Sequence, residues 1–295
     1  MSEAAGSKEM TADTLPAFSR ILLVTDFSPW SEAAVPFAKL LTESYRASIT
    51  IAHVILRDID FGPNEAVIGT QEEIAELAET LMRRFLAKNS LSESDFVITS
   101  GPFGDAIANA IKQKKIDLVV AGTHGRSGVG KLLLGSIAQR IFNAAPCPVL
   151  TVSPRARRSG GVEGKRKILY ATDLSDASLK ARPYALSLAK AMDAELLLVH
   201  VLESSELIAQ QGRITEDLLE MLPPEARGWC RFNNLVLTGD PASEIVRVAA
   251  EYGADFIVIG AERVPGGPLD RINVPLTTAY QIVAHADCPV LRVCN

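Results

Sequence analysis

Positive charge is in short supply in this chain. Lys and Arg number 30 against 35 Asp and Glu, which leaves a net charge of −5 over 295 residues. General binders of nucleic acid or of anionic membranes carry the opposite balance, so neither role is expected. No apolar run reaches the roughly eighteen residues needed to span a bilayer. Residues 1–19 are polar, rich in small side chains, and contain no apolar signal core. Export is therefore not indicated, and a cytoplasmic location is expected. Cysteine is scarce as well. Cys147, Cys230, Cys288 and Cys294 make no C-x-x-C pair and no metal-ligand cluster. Free thiols in a reducing compartment are the expectation.

What is present is ample core material. Hydrophobic residues make up 47% and charged residues 22% of a length that suits two ordinary domains. The chain also repeats itself, and internal repeats decide fold before any local pattern does. Ile21-Leu22-Leu23-Val24-Thr25-Asp26-Phe27-Ser28 returns as Ile168-Leu169-Tyr170-Ala171-Thr172-Asp173-Leu174-Ser175. Ala52-His53-Val54 returns as Val199-His200-Val201, and Cys147-Pro148-Val149-Leu150 as Cys288-Pro289-Val290-Leu291. Gly101 and Gly122 have counterparts in Gly239 and Gly260. The second copy is shorter in its middle and longer near its last loop. The expected division is a polar tail over 1–18, a first domain over 19–153, a Gly-, Ser- and Arg-rich linker over 154–166, and a second domain over 167–295.

Each copy alternates strand and helix signals. In the first, apolar runs at 21–25, 49–55, 96–99, 118–121 and 149–152 read as strands. Helical spacing appears at 32–41, 74–85, 106–111 and 136–143. Ile74, Leu77, Ala78, Leu81 and Phe85 form the expected buried stripe of the second helix. Alternating apolar strands and helices predict an α/β fold, a parallel sheet covered on both faces. Such sheets take ligands beyond the carboxyl ends of their strands, where Asp26, Val54 and Gly122 all fall.

The strongest chemical signal is the loop Gly122-Thr123-His124-Gly125-Arg126-Ser127-Gly128-Val129-Gly130-Lys131-Leu132-Leu133-Leu134-Gly135-Ser136, which follows a strand and opens a helix. Glycines let backbone N–H groups approach an anion. Ser136 is the expected helix N-cap, where the dipole favours negative charge. Arg126 can donate charge-assisted hydrogen bonds to phosphate oxygens. Gly125-x-x-x-x-Gly130-Lys131 imitates a P-loop, but Leu132 replaces the hydroxyl residue that holds Mg²⁺, so a P-loop hydrolase is a weak reading.

Gly122-x-x-Gly125, nine residues, then Gly135-Ser136 resembles the ATP-binding signature of the universal stress protein family. Asp26, His53-Val54, Gly101 and Pro148-Val149-Leu150 match the family pattern in order, and the likeness spans nearly the whole chain as a tandem form. The resemblance implies two Rossmann-like, doubly wound domains, each a five-stranded sheet of order 3-2-1-4-5. It implies adenine and ribose near Val24, Thr25, Asp26, Val54 and Gly122. Phosphates would lie along the loop at Thr123, His124, Gly125, Arg126, Ser127 and Gly128, and then at Gly135, Ser136, Ile137 and Ala138. The implied cofactor is ATP, with or without Mg²⁺. Last strands pair across a two-fold axis in the family, so the copies are expected to form an internal pseudo-dimer. A further homodimer of whole chains is left open.

The second copy departs from the signature. Arg263 replaces the second glycine, and Leu276-Thr277 replaces Gly-Ser. Glu262 and Asp270 oppose a triphosphate, and Pro265, Pro268 and Pro275 each remove a backbone donor. A weak, empty or altered second site is expected. Asp26 reads equally as a ribose or Mg²⁺ contact and as an acid complementing a helix N-terminus. His53 and His200 read as strand-end histidines with satisfied hydrogen bonds. Residues 58–70 read as a surface linker or a loop over the site. No nucleophile–base set stands out. The functional expectation is an ATP-binding regulatory or stress-response protein with at most slow ATPase activity. The alternatives are a dimerisation or partner-binding scaffold, and a nucleotide hydrolase.

Overall fold

The computed structural model of the chain describes residues 11, 14–56, 70–123, 135–156, 165–203, 209–261 and 277–294, with Ser136, Asn143 and Ala144 described by backbone alone. Strand and helix alternate as the hydrophobic pattern requires. The first half runs β1 (Arg20–Val24), α1 (Pro29–Glu32), α2 (Val35–Tyr45), β2 (Ser48–Ile55), α3 (Gln71–Lys88), β3 (Asp95–Ser100), α4 (Phe103–Lys114), β4 (Leu118–Gly122), α5 (Ser136–Ala144) and β5 (Val149–Val152). The second half repeats it as β6 (Lys167–Ala171), α6 (Asp176–Leu179), α7 (Arg182–Ala191), β7 (Glu195–Leu202), α8 (Gln211–Glu220), β8 (Phe232–Thr238), α9 (Pro241–Tyr252), β9 (Phe256–Gly260), α10 (Thr278–His285) and β10 (Val290–Val293).

Two local expectations are corrected. The helix expected at 32–41 is split into α1 and α2, each with proline in its first turn. Pro36 has no N–H to give to the Glu32 carbonyl, so one continuous helix loses a bond there. In α3 the buried residues are Ala78, Met82, Phe85 and Leu86, whereas Leu77 is 58% exposed. The apolar stripe is therefore turned by part of a residue from the one anticipated.

The sheet is continuous, in the order β3-β2-β1-β4-β5-β10-β9-β6-β7-β8. Each half thus has the order 3-2-1-4-5. Pairing is parallel within the halves and antiparallel where β5 meets β10, in the register Thr151↔Val290, Leu150↔Leu291 and Val149↔Arg292. Leu150 and Leu291 are equivalent positions of the repeat, so a pseudo-two-fold axis passes between them.

Alternation along the strands assigns the cores. Ile21 and Leu23 of β1 and Ile168 and Tyr170 of β6 face one side, where a single cluster runs through both halves. Leu22 and Val24 face the other side in a cluster of the first half, and Leu169 and Ala171 face it in a cluster of the second that also takes in Ala138 and Phe142 of α5. On the shared side the Phe37 and Phe256 rings meet edge-on at 6.1 Å, and the Tyr45 hydroxyl lies 2.9 Å from Ser187 Oγ. Phe18 packs between Tyr45 and Tyr184, at 5.1 and 5.9 Å. Each such aromatic burial contributes roughly 2–3 kcal/mol. On the opposite side Arg292 is 1% exposed, donates to the Phe142 carbonyl and lies 4.9 Å over the Phe142 ring. The halves are joined by backbone, by packing and by this buried cation.

Candidate functional site

The carboxyl edge of β1 carries the same hydrogen-bonded turn in both halves. Thr25 is buried beyond Val24, and its N–H donates to the Ala52 carbonyl of β2 at 2.9 Å. Its Oγ1 accepts from Phe27 N at 3.0 Å and lies 2.9 Å from Ser31 Oγ. Asp26 Oδ1 accepts from Ser28 N at 3.0 Å and from Ser28 Oγ at 2.6 Å. Ser28 in turn caps α1 by accepting from Ser31 N at 3.2 Å. Thr172, Asp173, Leu174, Ser175 and Ser178 reproduce these contacts, with 2.9 Å between Thr172 Oγ1 and Ser178 Oγ and 2.5 Å from Ser175 Oγ to Asp173 Oδ1. Phe27 and Leu174 share a φ of +63°, a left-handed conformation that the turn holds in place.

This turn fixes the acid. Burial alone pushes the Asp173 carboxyl up, but hydrogen bonds from the Ser175 and Ser178 hydroxyls and from backbone N–H outweigh it, so the net shift is downward. Asp26 has the same Ser28 contacts, which hold its carboxylate at the N-cap of α1, just past the end of β1.

His53 and His200 are held alike: Nδ1 lies 2.9 Å from the Thr25 carbonyl and from the Thr172 carbonyl respectively. His53 also stacks on Phe27, with ring centroids 4.2 Å apart. Val54, one residue further, is buried near the end of β2 and pairs with Thr99 of β3.

Gly122 ends β4. A Cβ on it would meet the Trp30 carbonyl oxygen at 2.7 Å, because the backbone of α1 crosses directly over this position. At Gly260 the equivalent clash, with the Ala177 carbonyl oxygen, falls at 2.1 Å. Close approach of α1 to β4, and of α6 to β9, therefore requires glycine in both copies.

Thr123 and Gly135 hold the base of the glycine-rich loop together. Thr123 N donates to Val152 O at 2.9 Å, and Gly135 N donates to Thr123 O at 2.7 Å. His124, Gly125, Arg126, Ser127, Gly128, Gly130 and Lys131 lie outside the described residues, as do 57–69, 157–164 and the second copy's 262–276.

The helix after the loop differs from the expectation and between copies. Ser136 is the first helical residue, and the N-cap is Gly135, which makes no side-chain cap hydrogen bond. In the second half the N-cap of α10 is Thr277, whose hydroxyl accepts from Tyr280 N at 3.3 Å. The first turn of α5 presents backbone N–H groups of Ser136, Ile137 and Ala138 without a side-chain cap. In the first turn of α10 one N–H, that of Tyr280, is taken up by the Thr277 side chain. Sequence reading also missed Arg140. It is buried one turn into α5, and its Nε has no hydrogen-bond partner among the described residues. Helical side chains lean toward the helix N-terminus, a direction that favours a guanidinium turned to the first turn of α5. Among the described residues no three His, Cys, Asp or Glu side chains gather as a metal cluster. Burial, chiefly, pushes the Cys147 and Cys288 thiols up to about 12.

The universal stress protein family matches the chain twice, over residues 17–153 and 165–293. The chain belongs to this family. It is 31% identical over 135 residues to a universal stress protein of Thermus aquaticus, covering 46% of this chain and 98% of that one. A universal stress protein of Mycolicibacterium smegmatis is 27% identical over 257 residues, covering 82% of this chain and 86% of that one. A crystal structure of a universal stress protein from Archaeoglobus fulgidus has the same fold, with a TM-score of 0.70 at 19% identity over 93% of this chain and 98% of that one. No helix among the described residues is long and apolar enough to cross a membrane.

Proposed function

We propose that the first domain binds ATP at the carboxyl edge of β1, β2 and β4, and that the protein acts by holding nucleotide rather than by turning it over. The observation that carries this reading is the α5 N-terminus, where the N-cap is Gly135 and supplies no side-chain cap, whereas Thr277 at the α10 N-terminus accepts a hydrogen bond from Tyr280 N. Phosphate is the ligand chemistry such a terminus suits, and the buried Arg140 adds positive charge behind it. In this reading adenine and ribose lie by Val24, Thr25, Asp26, Val54 and Gly122, with the Ser28 contacts aiming Asp26 at the ribose. The triphosphate follows Thr123, His124, Gly125, Arg126, Ser127 and Gly128 to Gly135, Ser136, Ile137 and Ala138. A Mg²⁺ bound with the phosphates supplies charge neutralisation. The second domain keeps Asp173 and Val201 but serves as the structural partner. The role is regulatory, within the stress response that names the family.

Ligand binding is read by Trp30, which is 41% exposed and whose carbonyl lies against Gly122. Titration with ATP should change Trp30 fluorescence saturably in a Trp229→Phe background. At 100 times Kd it should stabilise the protein by about 2.7 kcal/mol. Gly125→Val with Ser136→Leu should abolish both effects while the far-ultraviolet spectrum is unchanged. Equal affinity in that double variant would overturn the site.

A further inference from the structure

Two free cysteines, Cys147 and Cys294, lie at one end of the seam between the halves, each beside Ala145. Continued two residues beyond the paired positions, the β5–β10 register that pairs Leu150 with Leu291 and Val149 with Arg292 brings Cys147, in the bend before β5, opposite Cys294, just after β10. Peptide directions set the spacing. Pro148 and Val152 turn their carbonyls to the β4 side, accepting from Val119 N at 3.0 Å and Thr123 N at 2.9 Å. Pro289 and Val293 turn theirs to the β9 side, accepting from Ile257 N and Ala261 N at 2.9 Å. Val149 and Arg292 therefore turn their peptide groups toward one another, the type of antiparallel pair with Cα atoms about 5.5 Å apart. Carried on to Cys147 and Cys294, the same alternation gives a Cα separation that a disulfide spans, about 5.5–6 Å.

The side chains lie on one face. Opposed residues of an antiparallel pair point the same way. Cys147 packs with Ile141 and Ala145 on the α5 side, and Cys294 Sγ donates to the Ala145 carbonyl at 3.5 Å. The pseudo-two-fold axis relates Cys147 to Cys288 and Cys294 to Ser153. The symmetry-related pair is thus Ser153 facing Cys288, which has one thiol only. The buried cysteine before the last strand recurs in both copies, but the opposing cysteine is confined to the second.

We propose that Cys147 and Cys294 form a reversible disulfide that locks the two halves of the sheet together under oxidising conditions. The oxidant is a small-molecule disulfide, RSSR. Cys294 is the more exposed of the two, and its sulfur attacks RSSR, forming a Cys294–S–S–R bond and releasing RS⁻, which takes up the Cys294 proton. The Cys147 sulfur then displaces the second RS⁻ and gives it the remaining proton. One RSSR is reduced to two RSH, and two protein thiols become one disulfide.

The test uses the full chain incubated with glutathione disulfide, then digested without reduction. The expected result is a peptide containing Cys147 linked to one containing Cys294, with titratable thiols in the unfolded protein falling from four to two. The thermal midpoint should rise by roughly 5–10 °C and return on reduction. Cys147→Ser and Cys294→Ser should each abolish the link, and Cys230→Ser should leave it. Ser153→Cys should create a second link, to Cys288, which keeps the geometry testable if a serine variant fails to fold. Separate glutathione adducts on Cys147 and Cys294, links to Cys230, or links between chains would overturn the proposal.

Discussion

At the scale of single residues, Gly122 shows how one amino acid can carry two meanings. Its place after an apolar strand marks a ligand approach, and the structure adds a packing demand from the α1 backbone. That demand was not legible, because a four-residue helix leaves no periodic signature. Gly122→Ala should destabilise the protein by about 1–3 kcal/mol in urea titration. Gly260→Ala should cost more, since its Cβ would come to 2.1 Å rather than 2.7 Å from a carbonyl. An unchanged denaturation midpoint in both would show that α1 and α6 shift freely. Asp173 makes a second residue-scale prediction. Its pKa is lowered on folding, so its contribution to stability is present above the unfolded value of 3.8 and is lost as pH falls through the folded value. Asp173→Asn should flatten the acid limb of a stability–pH profile below pH 4 or so. An identical acid limb would contradict the hydrogen-bonded role of this carboxylate.

At the scale of elements, α5 and α10 are the same helix of the repeat with opposite N-termini. Ser136 reads as the cap by ordinary preference, yet the cap is one residue earlier. The deciding contact is tertiary, Gly135 N to Thr123 O across the loop base, and no local rule reports it. The α3 stripe was legible only in part, with Ala78 and Phe85 buried as expected and Leu77 exposed, for a related reason. Leu77 and Met82 are both apolar, and only packing chooses between them. Gly135→Asp should supply the missing cap and raise stability by about 1 kcal/mol without nucleotide, while lowering ATP affinity at least tenfold by placing a carboxylate where phosphate belongs. Thr277→Ala should cost about 1 kcal/mol and leave ATP affinity unchanged. Opposite signs for stability and affinity at Gly135 separate a ligand-filled terminus from a merely weak one. A Gly135→Asp protein that binds ATP as well as the parent would argue against phosphate at α5.

At the scale of the whole molecule, the duplicated motifs made the two domains and their strand order readable, because apolar strands buried on both faces leave few arrangements. The seam was less readable. The recurrence of Pro148-Val149-Leu150 as Pro289-Val290-Leu291 says that the last strands are equivalent, but register is a property of two segments distant in sequence. Nothing in the run Val290–Val293 marks Arg292 as buried; its partner, the Phe142 carbonyl, belongs to the other half. Arg292→Ala should lower stability by about 2–4 kcal/mol through a lost hydrogen bond and a cavity at the seam. A loss below 0.5 kcal/mol, on the order of a surface substitution, would mean that the guanidinium does not join the halves.

The claim that joins all three scales is asymmetry: one scaffold built twice, with nucleotide chemistry kept in the first copy. Purified chain, denatured and resolved by anion exchange, measures it directly. The account predicts close to one ATP per chain. Two per chain, or none together with no thermal shift on adding ATP, would contradict it.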